Sequence, residues 1–317
     1  MKAYLKHFKS GVIVPMVTPL NPDESPDLPA IGKLVDFLVD RDVHGIFTLG
    51  TTGEVSRLSP DDCLRTIEST VEAVNGRLPV YAGISAATGT QQTLKNLKRA
   101  EAAGVDFTVA TLPYYFPVED LEEQVEFFLK VADTATRGIL LYNIPWTVVA
   151  PIQVETIKRL VEHPNIIGIK DSSGDRDYLE QMIALRNPES FRILCGHEGL
   201  FSDTDLLSQT DGIISSTANI LPSTVSNLWK NIIGGRDTQI DLERIGKVNS
   251  LNRCAPYSST VGLALRKLVL SHFGLIQPVV SQPHTRFSPE DLKQIHALAE
   301  KIADWENVTP MIPAAAC

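Results

Sequence analysis

Cysteine is scarce in this 317-residue chain: Cys63, Cys195, Cys254 and Cys317 show no CxxC spacing and have no accompanying histidines. A disulfide framework or a cysteine-based zinc site is therefore not expected, and a reduced, cytoplasmic setting is. Long apolar runs are missing too. No 18-residue stretch is long and apolar enough to span a membrane, and the opening MKAYLKHFKSG contains no apolar leader core. Basic tracts are equally absent. A net charge of −9 speaks against nucleic acid or an anionic membrane as partner. A small anionic ligand stays possible, because a local set of donors can hold a carboxylate within an acidic surface. Finally, no GxGxxG follows the first apolar run, which removes the dinucleotide-binding signature of a doubly wound sheet.

What is present is a regular beat. The composition, 43% hydrophobic and 21% charged, supplies a large core. Eight apolar, β-branched segments occupy residues 11–19, 45–50, 79–85, 107–113, 138–145, 166–173, 191–198 and 211–219. Between them, residues 29–42, 60–74, 91–103, 121–134 and 154–162 carry apolar stripes at helical spacing. Continuous apolar strands alternating with amphipathic helices imply a parallel sheet covered on its faces. Eight units predict a (β/α)8 TIM barrel over residues 1–221. Residues 222–317 are read as the last barrel helix and a C-terminal helical extension packed on the barrel, with helices at 242–252, 258–271 and 289–304.

In such a barrel the chemistry gathers where the strands end. Those ends read Gly50-Thr51-Thr52-Gly53-Glu54, Pro113-Tyr114-Tyr115-Phe116-Pro117, Tyr142-Asn143-Ile144-Pro145, Gly196-His197-Glu198-Gly199 and Ser215-Ser216-Thr217. The sixth segment, GIKDSSG, carries Lys170 inside an apolar strand. The other thirteen lysines fall in helical or loop contexts from which the head is expected to reach water. An amine among apolar walls loses proton affinity and becomes a nucleophile toward a ketone. The alternative is a core lysine satisfied by a carboxylate such as Asp171, and strand position alone leaves both open. Tyr142 on the neighbouring strand is a candidate acid/base, or packing with a satisfied hydroxyl. Thr51 and Thr52 offer hydroxyls and backbone N–H groups that would cradle a carboxylate. Alternatively they form a polar turn in which Glu54 bonds the local backbone.

The order GTTGE, PYYFP, YNIP, GIKDSSGD resembles the dihydrodipicolinate synthase / N-acetylneuraminate lyase family of class I aldolases, from about residue 11 to 219. The resemblance implies that Lys170 forms a Schiff base with pyruvate or another 2-oxo acid, and that Tyr142 is the acid/base beside it. Thr51 and Thr52 would bind the pyruvate carboxylate. Thr51 would also link Tyr142 to Tyr115, which in this family reaches in from an adjacent subunit. The family is commonly a homotetramer built as a dimer of dimers. No metal or organic cofactor is implied, since the covalent imine with Lys170 does the electronic work.

Departures from the family pattern bear on the second substrate. Thr147 stands where dihydrodipicolinate synthases carry an arginine for the carboxylate of aspartate semialdehyde. A hydroxyl does not replace that bidentate fork. Sialic acid lyases place an Asp-Glu pair where this chain has Glu198-Gly199. Ser172, Ser216, Glu198 and Thr147 are candidate contacts to a polyol, His197 another unless it is structural. Trp146 would narrow the pocket, stack on a sugar face or pack against a neighbouring subunit. The expectation is an aldolase or dehydratase acting on a 2-keto-3-deoxy sugar acid, releasing or consuming pyruvate. N-acetylneuraminate lyase and dihydrodipicolinate synthase are the alternatives. A non-catalytic 2-oxo-acid-binding protein is the alternative of another kind.

Overall fold

The computed structural model describes residues 2–251, 260–284 and 286–310. Eight parallel strands close into one barrel in sequence order: β1 (Gly11–Pro15), β2 (Gly45–Thr48), β3 (Val80–Gly83), β4 (Phe107–Ala110), β5 (Gly138–Asn143), β6 (Ile166–Asp171), β7 (Arg192–Cys195) and β8 (Gly212–Ile214). All eight predicted segments contain their strand. The hydrogen-bonded parts are shorter because each apolar run continues past the ladder into the loop above it. Apart from Arg192, every strand residue is buried, as a sheet covered on one face by helices and on the other by its own interior requires.

Helices α1 (Leu28–Val39), α2 (Pro60–Val74), α3 (Thr90–Ala102) and α4 (Leu121–Thr134) lie where the apolar stripes place them. Local chemistry sets their ends. Ser59 accepts from the Asp62 N–H with Pro60 in the first turn, and Asn75 stops α2 in the left-handed conformation, φ 46°. Asp120 caps α4 through the N–H groups of Glu122 and Glu123. A single turn, α5 (Pro145–Val148), follows β5 and precedes α6 (Val154–Leu160). Two more barrel helices, α7 (Arg176–Ala184) and α8 (Thr204–Ser208), add to the segments expected from the sequence. Asp175, the last residue of GIKDSSGD, caps α7, so that motif runs from strand through loop into helix.

The β8–β1 ladder closes the barrel, and one side chain ties the chain together just past it. Asn219 donates to the carbonyls of Pro15 and Ser216 and accepts from the Val17 N–H. Beyond it come α9 (Pro222–Ile233), α10 (Gln239–Leu251), α11 (Val261–His272) and α12 (Pro289–Glu306). Their apolar faces, among them Leu228, Val248, Leu265, Val269 and Ile295, join the same core as the barrel helices. Asn252, Ser258 and Ser259, predicted to be helical, lie outside the described residues.

Candidate active site

Strand β6 carries Lys170 as its fifth residue, in register with Tyr142 on β5 and Leu194 on β7. The side chain is 4% exposed. Its Nζ stands 3.8 Å from the centre of the Tyr142 ring and 5.0 Å from that of Phe47, and these two rings meet edge-on. Burial lowers the Lys170 pKa from 10.5, against the opposing pull of the Tyr142 hydroxyl, with which it shares a hydrogen bond. Asp171 offers no relief. Its carboxylate accepts from Asn143 Nδ2 at 2.7 Å, from Ser173 Oγ at 2.9 Å and from the Ser173 N–H. Among the described residues no carboxylate pairs with Lys170. Of the two readings left open by the sequence, the core lysine held by Asp171 is thus not what the structure contains.

Space for the lysine chain comes from Gly196, at the end of β7. A Cβ there would sit 2.8 Å from Lys170 Cε and 2.2 Å from Ser172 Oγ, distances no real Cβ tolerates. Glycine at this position lets the amine reach the middle of a cavity of about 460 Å³. Thr51, Thr52, Tyr142, Trp146, Thr147 and Ser172 line its walls, with Ser216 and Arg266 opposite. That volume lies in the range of sites that enclose a whole small molecule.

The GTTGE turn owes its shape to long-range bonds. Leu49 and Glu54 both take positive φ, 55° and 61°, and Thr18 Oγ1 donates to the Gly53 carbonyl at 2.7 Å. The Glu54 carboxylate makes no local backbone bond. It pairs with Lys267 of α11 and accepts from the Ser281 N–H at 2.8 Å. Lys267 also donates to the Val279 carbonyl at 2.7 Å. This corrects the expectation that every lysine but Lys170 reaches water: Lys267 is fully buried. It sits in the apolar run VGLALRKLVLSH, and the adjacent Arg266-Lys267 inside that run was the signal that could have revealed it.

The polyol candidates separate. Ser172, Ser216 and Thr147 face the cavity, whereas Glu198 is not part of its lining. One Glu198 oxygen accepts from Ser215 Oγ, Ser216 Oγ and the Thr217 N–H, the other from Thr217 Oγ1 and Asn249 Nδ2. Burial opposes its ionisation, but the Arg266 charge and the Thr217 and Ser215 hydrogen bonds prevail, and its pKa is lowered. In the structure the Glu198 oxygens are thus engaged by Ser215, Ser216, Thr217 and Asn249 rather than turned into the cavity. Arg266, which sequence reading passed over, donates to the carbonyls of Ser216 and Gly262 and to Thr217 Oγ1. His197 accepts from the Gly199 N–H and caps a short turn, which is the structural option. Trp146 is 59% exposed, with its indole N–H held by the Ser172 carbonyl at 2.8 Å.

Tyr115 is the outlier. It lies outside the cavity of its own chain, 74% exposed, edge-on to the equally bare Phe116. Tyr114 turns inward instead, to a smaller cavity behind Tyr142. Thr51 forms no hydrogen bond to Tyr142 among the described residues, so the relay Tyr142–Thr51–Tyr115 is not assembled within one chain.

Comparison with known proteins agrees with this arrangement. Residues 8–302 match the dihydrodipicolinate synthetase family. A 4-hydroxy-tetrahydrodipicolinate synthase of Macrococcus caseolyticus is 30% identical over 307 residues, 96% of this chain and 99% of that protein. One from Bacillus velezensis is 34% identical over 221 residues, 70% of this chain and 75% of the other. The chloride-inhibited dihydrodipicolinate synthase from Acinetobacter baumannii, solved in complex with pyruvate, superposes with a TM-score of 0.82 at 27% identity, over 95% of this chain and 100% of that one. Fold, strand-end motifs and these likenesses converge: the chain belongs to the dihydrodipicolinate synthetase family of lyases.

Proposed function

We propose that this enzyme is a Schiff-base lyase that cleaves or dehydrates a 2-keto-3-deoxy sugar acid. The observation that carries the reading is Lys170, a buried amine of lowered proton affinity in contact with Tyr142 and with no carboxylate partner among the described residues. Its Nζ adds to the C2 ketone, and the carbonyl oxygen leaves as water, giving an iminium. For cleavage, the Tyr142 oxygen takes the C4 hydroxyl proton and the C3–C4 bond breaks. The electron pair is received by the iminium, which becomes an enamine as the aldehyde departs. Protonation at C3 and hydrolysis release pyruvate and restore the amine. For dehydration, C3 loses a proton and C4 its hydroxyl. The iminium is the electron sink in both, so no metal or organic cofactor is needed.

Thr51 and Thr52 hold the carboxylate next to the ketone, and Ser172, Ser216 and Thr147 meet the hydroxyls. Tyr115, which lies outside the cavity of its own chain, completes the site of a second copy in a homotetramer built as a dimer of dimers, and the bare Tyr115 and Phe116 rings supply apolar area for that contact. The complex of the Acinetobacter relative with pyruvate supports pyruvate as the shared fragment. The free thiols of Cys63 and Cys195 support a cytoplasmic location.

A second reading, 4-hydroxy-tetrahydrodipicolinate synthase, is favoured by the names of the Macrococcus and Bacillus relatives. Thr147, uncharged at the arginine position, weighs against it. N-acetylneuraminate lyase is less favoured, because the Glu198 oxygens are already occupied. The test is a panel of 2-keto-3-deoxy sugar acids assayed for pyruvate release or water loss, beside pyruvate with aspartate semialdehyde. Turnover confined to sugar acids supports the proposal. Turnover confined to the semialdehyde overturns the substrate assignment, and pyruvate binding without any turnover would favour a binding protein.

A further inference from the structure

One cation on the cavity rim takes no part in anything above. Arg57 follows the GTTGE turn by three residues, on the rim beside Ser56. Its Nη1 donates to the carbonyls of Ser281 and Pro283 at 2.5 and 2.6 Å, which fixes the guanidinium plane and consumes that nitrogen. Nε and Nη2 donate to no protein group, and no carboxylate stands within ion-pair reach, among the described residues. The other cations around the cavity are committed. Arg266 bonds Ser216, Gly262 and Thr217 and faces Glu198, and Lys267 pairs with Glu54. Among the described residues, Arg57 alone presents an anchored, unpaired charge to the opening.

The free edge of a guanidinium is a planar pair of parallel N–H donors, the shape that two oxygens of a carboxylate or phosphate match. We propose that Arg57 recognises a second anionic group, carboxylate or phosphate, at the end of the substrate remote from the carbonyl that meets Lys170. The enzyme then prefers dianionic 2-oxo acids, such as sugar diacids or phosphorylated sugar acids, over neutral-tailed ones. Thr147 carries no charge, so Arg57 takes over the reading of a terminal anion from a different wall of the cavity. This assignment rests on the imine chemistry proposed above.

Its test uses chain-matched 2-oxo acids trapped on Lys170 by borohydride and quantified by peptide mass: 2-oxohexanoate, 2-oxoadipate and 2-oxo-5-phosphonopentanoate, with pyruvate as control. In the wild type, half-trapping by one of the dianions is expected at a concentration roughly 10- to 100-fold below that for 2-oxohexanoate. A larger gain for 2-oxoadipate assigns a carboxylate, and a larger gain for the phosphonate assigns a phosphate. Arg57→Gln should bring the ratio close to one, while Arg57→Lys, which keeps the charge without the fork, should retain part of it. A wild-type ratio near one overturns the proposal, and this comparison needs no folded variant. An advantage that survives in both variants also overturns it. If pyruvate itself is not trapped, the imine reading fails and takes this one with it.

Discussion

Two lysines lie buried in this molecule, and they differ in what stands beside the charge. Lys267 is held in α11 by the Glu54 carboxylate and the Val279 carbonyl. Burial lowers its pKa, and Glu54 offsets part of that shift. Lys170 has only aromatic faces and one phenol beside it. A carboxylate offsets burial at Lys267 and none does so at Lys170 among the described residues, which is why Lys170 is the one proposed as the reagent. The difference lies not in depth but in the neighbouring charge. The two regions are also joined, because the carboxylate that pairs with Lys267 closes the turn carrying Thr51 and Thr52.

The comparison is broken most directly by exchanging roles. Lys170→Ala should lower turnover by roughly 10⁴-fold or more while leaving the fold intact, measured by kcat and circular dichroism. Tyr142→Phe should lower kcat by about 10²- to 10⁴-fold, the range for a lost acid/base, with Lys170 still modified by pyruvate and borohydride. Gly196→Ala pushes a methyl against the Lys170 chain, and about a 10²-fold loss of kcat is expected, with a loss of stability of about 1–3 kcal/mol from the overpacking. Stability moves the other way round. Lys267→Met leaves the Glu54 carboxylate buried and uncompensated, destabilising the fold by about 3–5 kcal/mol in urea titrations. Adding Glu54→Gln should restore a good part of that, and equal additivity of the two changes would argue against a coupled pair.

A smaller effect reads the Lys170 charge through pH. The folded state binds Lys170's proton less readily than the unfolded chain, whose lysine keeps a pKa near 10.5. Folding therefore opposes protonation, and the Lys170 contribution to stability improves as pH rises from the lowered folded value toward 10.5. Lys170→Met should be more stable than the wild type at pH 7, by a margin that shrinks as the pH approaches 10.5. A margin constant from pH 7 to pH 10 would contradict a proton-poor Lys170.

Much of this was legible in the sequence, for definable reasons. The barrel declared itself because eight buried strands must each be apolar throughout, and α2 and α4 fell on their predicted residues because their apolar faces repeat at helical spacing between those strands. Lys170 and Tyr142 were visible as polar residues in apolar strands. Long-range pairing was not visible. Nothing local tells that Glu54 meets a lysine more than two hundred residues away, or that Glu198 is claimed by Ser215, Thr217 and Asn249. Those partners come from the β8 end and the C-terminal helices, whose packing no periodicity announces. Tyr115 was marked by its motif, but its 74% exposure in a single chain becomes meaningful only beside a second one.

The central claim, that Lys170 and not Lys267 is the chemically available amine, comes down to where a hydride fixes pyruvate. Wild-type protein incubated with pyruvate and borohydride should gain one adduct per chain, on the peptide containing Lys170 and on no other. An unmodified Lys170 under conditions that leave the protein folded, or an adduct on Lys267 instead, would contradict the account.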